Sequence, residues 1–137
     1  RFTFEKSVFD NRPNEFMSAD KFCELMLAAQ KKAYGDGLDP DYLHPYMWCC
    51  KSHYYSAGLS YYNFPYAFGL LFGLGVYALY LEKGNDFLPL YDELLKNTSL
   101  GDVRDVAASV GIDVADVNFW RKSVKVIEDL IDEYVKL

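Results

Sequence analysis

Histidine and tyrosine crowd one stretch of this chain, HPYMWCCKSHYYSAGLSYYNFPYAFGLLFGLG, from His44 to Gly75. A phenol with an ordinary pKa of about 10 stays protonated near neutral pH and can donate a hydrogen bond to a carbonyl or a developing oxyanion. An imidazole can do the same. His53, Tyr54, Tyr55, Tyr61 and Tyr62 surround the flexible Ser56-Ala57-Gly58 turn just ahead of an expected helix start, where the helix N-terminus adds partial positive charge. Against that chemistry stands simple packing, in which each ring is buried and its hydroxyl finds a backbone partner.

Other site chemistries fit less well. His44, Cys49, Cys50 and His53 are zinc-ligand types, but adjacent cysteines project apart and the paired spacing of structural zinc sites is missing. Cys49 or Cys50 as a nucleophile with His53 as base would lack an orienting acid, so buried, inert thiols are expected. The chain has no HExxH, no G-x-S-x-G elbow and no P-loop, and GLGVYA from Gly73 to Ala78 lacks the third glycine of a dinucleotide fingerprint.

The elements that position these groups are helical. Ser18 is placed to cap a helix whose apolar face is Phe22, Leu25, Met26, Ala29 and Ala33, with Gly35 as its stop. Gly35 to Pro45, rich in Gly, Pro and Asp, reads as a surface loop. A second helix starts near Asn63, its expected cap, tolerates Pro65 in its first turn, and ends at Gly84. Asp86 to Lys96 and Ser99 to Val110 form two shorter helices, the latter ended by Gly111. Trp120, Val124, Ile127, Ile131 and Tyr134 then trace the stripe of an amphipathic closing helix. Phe2, Phe4 and Phe9 amid charges suit either a strand or the tail of a helix. No repeat or low-complexity tract marks a boundary, so one helical unit over 1–137 is expected.

No formally charged side chain occurs from Ser52 to Leu81, long enough for the about 20 apolar residues that a bilayer requires. Seven tyrosines in that stretch, with Asn63 and its serines, argue instead for a core helix buried on all sides. Tyr62, Tyr66, Gly69, Gly73, Tyr77 and Tyr80 fall on one side of it, and Phe64, Phe68, Leu71, Phe72 and Leu79 on another.

With 51% hydrophobic and 18% aromatic residues, 137 residues suffice for a real core. A net charge of -6 without any Lys/Arg block leaves nucleic acid a poor partner. Three cysteines without framework spacing favour a reducing, cytoplasmic setting. The chain opens on Arg1, with nothing near it like a secretory leader, as expected of a segment from within a longer protein.

The run KSHYYSAGLSYYNFPYAFGLLF, Lys51 to Phe72, resembles the C-terminal region of the oligoendopeptidase F branch of thimet-type zinc metallopeptidases. AQKKAYGDGLDPDYLHPYMW, Ala29 to Trp48, is similar to the segment preceding it there, and the likeness extends to Leu137. The resemblance implies an all-α, helical C-terminal subdomain of a larger, mostly helical zincin-type peptidase, which cleaves oligopeptides in a deep channel. It implies one zinc ion held by HExxH and a later glutamate, all outside this chain, so the fragment alone is expected to be inactive and to hold no metal. The upstream glutamate would act as base on zinc-polarised water.

The same resemblance implies that His53 and Tyr62 act in catalysis by steadying the tetrahedral intermediate, and that Tyr55, Tyr61 and Tyr66 bind substrate. Phe64 stands where the thimet branch has a further tyrosine. The implied partners are oligopeptide substrates and the remainder of the peptidase chain, with neither nucleic acid nor membrane. The competing readings are a non-enzymatic interaction domain that docks partners through its Tyr/Phe-rich face, and a single-span membrane protein.

Overall fold

Every regular element in the computed structural model, which describes residues 1–137, is helical; there is no β-strand. In order these are α1 (Phe2–Asn11), α2 (Ala19–Tyr34), α3 (Phe64–Lys83), α4 (Leu88–Asn97), α5 (Val103–Ala108) and α6 (Val117–Tyr134). Short 3-10 turns at Pro40–Tyr42, Met47–Cys50, Ser52–Tyr55 and Gly84–Phe87 join them. The chain divides into two compact units, Arg1–Pro65 and Tyr66–Leu137, and no linker composition marks the division.

In the first unit, the amino-terminal segment is a helix rather than a strand. Phe4 and Val8, four apart, share the face of α1 that packs with Phe22, Leu25, Met26 and Ala29 of α2. Ser18 caps α2 as its sequence indicates, its hydroxyl accepting from the Lys21 N–H at 3.1 Å, and Gly35 ends the helix at φ +55. The apolar stripe stops a turn early: Ala33 is exposed, and Gln30 is buried instead. Its amide clamps the loop, with Nε2 donating to the His44 carbonyl at 3.0 Å and Oε1 accepting from the His44 N–H at 3.3 Å.

The second unit is built around Val76, Phe87, Leu94, Ala107, Val110, Ile112 and Phe119. Gly84 and Gly111 take φ of +61 and +80, which accounts for glycine at both stops. Three expectations are corrected. Asn63 does not cap α3, because both polar atoms of its side chain are buried without a hydrogen-bond partner. Nor is α3 buried on all sides: only Gly75, Val76 and Ala78 are, while Leu70, Tyr77 and Leu81 are exposed. By length and composition the segment holds one helix able to cross a membrane, but uniform apolarity says nothing about which side the other helices cover.

The third correction concerns α6. Its buried positions are Phe119 and Ser123, whereas Val124, Ile131 and Tyr134 of the expected stripe are exposed. The cause is Gly75, whose missing side chain lets α6 come so close that an added Cβ would lie 2.5 Å from Phe119 and 2.8 Å from the Ser123 hydroxyl. Ser123 fits there because it is small and bonds back to the Phe119 carbonyl at 3.4 Å.

Candidate functional site

The His/Tyr segment of the first unit is a succession of tight turns. Tyr54 N–H donates to the Lys51 carbonyl at 3.1 Å, Leu59 N–H to Ser56 at 2.9 Å, Tyr62 N–H to Leu59 at 3.1 Å and Phe64 N–H to Tyr61 at 3.2 Å. Glycine, serine and tyrosine give no helical periodicity here, and each turn closes on its own carbonyl. Tyr61 has φ +58, a left-handed conformation uncommon for a bulky residue.

The turns bring His53 and Tyr62 together, with ring centroids 5.0 Å apart. Tyr62 is 41% exposed, so its phenol borders solvent. Tyr55 is 62% exposed and donates its hydroxyl to the Trp48 carbonyl at 3.3 Å. Partial burial, and then the thiols of Cys49 and Cys50, raise its pKa from the ordinary value. Tyr61 is tied to α1: its ring lies 5.5 Å from that of Phe2 and 5.3 Å from that of Phe9. Tyr66 belongs to the second unit, where it is 60% exposed.

Tyr54 is different in kind. Its ring lies 5.3 Å from that of Phe4, its hydroxyl is buried without a hydrogen-bond partner, and burial pushes its pKa up to about 12, with the Glu5 carboxylate as the next cause. Phe4, Glu5, Phe22, Trp48, Tyr54 and Tyr55 line a cavity of about 290 Å³. A second cavity, about 410 Å³, lies in the other unit among Phe72, Tyr91, Leu94 and Val106; it is apolar and contains none of the residues proposed for chemistry.

Glu5 is the residue that sequence reading missed. It is 6% exposed, and its Oε1 accepts the Tyr61 N–H at 2.7 Å across 56 positions. The signal available in sequence was a carboxylate set between Phe2, Phe4 and Phe9 on a helical face.

No three His, Cys, Asp or Glu side chains gather as a metal would require. His44 instead accepts the Tyr46 N–H on Nδ1 at 3.1 Å, and Cys50 lies 3.1 Å from the Met47 carbonyl. Cys49 and Cys50 are exposed rather than buried, a correction that follows from their place in a surface 3-10 turn; Cys23 is partly buried. The donors present therefore do not fit a zinc ion. No family model, curated protein or solved structure matches the chain.

Proposed function

We propose that this chain supplies the substrate-facing wall of a zinc endopeptidase that hydrolyses oligopeptides, with metal and general base provided by residues outside it. The observation carrying the reading is the pairing of His53 with the part-exposed Tyr62. An imidazole and a phenol side by side are hydrogen-bonding groups that suit the carbonyl of a scissile amide, whose oxygen gains charge as it is attacked. Tyr55 is exposed enough to meet a peptide, and Tyr61 lies in the turn just before Tyr62; Tyr66, exposed in the second unit, is carried as a substrate contact by the resemblance alone. The resemblance of Lys51 to Phe72 to the oligoendopeptidase F branch provides the substrate class, and the three free thiols fit a cytoplasmic setting.

A second reading has its own observation. Phe64, Tyr66, Leu70, Tyr77 and Leu81 are exposed along one helix that carries no charge before Glu82, as a non-enzymatic domain docking a partner helix would require. Expressing the chain in its native reading frame, and assaying zinc-dependent cleavage of a quenched peptide, separates the two. Zinc-dependent hydrolysis and an HExxH encoded ahead of Arg1 are expected; a parent with neither would leave the docking reading standing.

A further inference from the structure

Phe2, Glu5 and Phe9 lie at spacings of three and four, and so on one face of α1. All three engage a single residue 50 to 60 positions away. Phe2 and Phe9 flank the Tyr61 ring at 5.5 and 5.3 Å, and Glu5 Oε1 takes the Tyr61 N–H at 2.7 Å. A buried carboxylate is costly to keep, and this one leaves its other oxygen without a partner. The bond it does make is with the one residue of the tyrosine segment that has left-handed backbone, at φ +58.

Strain of that kind persists only where the surroundings over-determine it. Tyr61 also sits between two turn bonds, Tyr62 N–H to Leu59 and Phe64 N–H to Tyr61. Any relaxation of Tyr61 toward extended backbone must swing Tyr62, the next residue, away from His53.

We infer that α1 is a splint for the tyrosine turn and that Glu5 is its positioning residue, holding Tyr61 left-handed so that Tyr62 stays against His53. Calling this a device of catalysis rests on the peptidase reading above; the conformational claim does not. Phe2 and Phe9 grip the ring, and Glu5 fixes the amide direction, which aromatic packing by itself leaves free.

Nuclear magnetic resonance on the 137-residue chain tests it with Glu5→Ala and Glu5→Gln. Alanine removes the acceptor, so Tyr61 amide exchange should accelerate by about tenfold or more and the His53–Tyr62 ring contact should vanish, while α2 amides keep their protection. Glutamine retains an acceptor oxygen and should preserve both. The inference is overturned if Glu5→Ala keeps slow Tyr61 exchange and the ring contact, or if Glu5→Gln loses them. Should the alanine variant unfold, the glutamine variant decides alone: a folded chain with the contact kept supports the splint, and any other result refutes it. A parent that hydrolyses no peptide would leave these spectra unchanged, so the two proposals fail separately.

Discussion

Tyr62 contributes one hydroxyl, so its removal is a clean experiment. In the peptidase proposed above, Tyr62→Phe is expected to lower turnover about 10²–10³-fold, the usual consequence of deleting one oxyanion donor. The melting temperature should hardly move, since the phenol is 41% exposed and its ring survives the change. Steady-state kinetics beside a thermal melt gives the answer, and normal turnover would remove Tyr62 from the site. Tyr54 offers a separate titration. Its folded pKa, raised to about 12, exceeds the ordinary value of about 10 for an unfolded chain. The neutral phenol is therefore favoured by folding: that stability is fully present below about pH 10 and is lost as pH rises through about 12. Urea midpoints across that window should fall in the native chain and fall less steeply in Tyr54→Phe; parallel curves would exclude Tyr54 as the cause.

Helix α3 carries glycines that look alike in sequence and differ in surroundings. A Cβ at Gly73 or Gly69 meets nothing within 4 Å, whereas at Gly75 it collides with the Phe119 ring. Gly75→Ala should therefore destabilise the second unit by about 1–3 kcal/mol through overpacking. Gly73→Ala should stabilise it by about 0.5–1 kcal/mol, because alanine loses less backbone freedom in a helix interior. Chemical denaturation of the two variants measures the difference, and equal effects would mean that α6 does not approach α3 at Gly75. This contact also explains the rotation of α6. The stripe from Trp120 to Tyr134 marks an amphipathic helix correctly, but which neighbours it buries depends on a missing side chain some forty residues earlier.

For the whole molecule the informative measurement concerns metal. With no cluster of three ligating side chains, and with zinc proposed to sit on residues outside the chain, the isolated protein is expected to emerge from dialysis against excess zinc without a stoichiometric ion. Atomic absorption on the dialysed chain checks this; one tightly held zinc per molecule would demand ligands of its own and overturn the assignment. The same preparation bears on the membrane alternative. A chain whose α3 carries no charge before Glu82, and is exposed at Leu70, Tyr77 and Leu81, should stay soluble without detergent if that face meets protein rather than lipid.

What the amino-acid order determined by itself is short-range. Ser18 before its helix, and Gly35, Gly84 and Gly111 after theirs, act through hydrogen bonds and φ values settled within a few residues, so they can be read without coordinates. The tyrosine segment was conspicuous for the same reason, since its composition is local. Tertiary structure alone decided that Glu5 holds Tyr61, that Asn63 caps nothing, that Cys49 and Cys50 face solvent, and that Phe119 rests on Gly75. Those outcomes depend on which distant surfaces meet, and burial energy is a sum over the whole set of contacts that no single stretch of sequence contains.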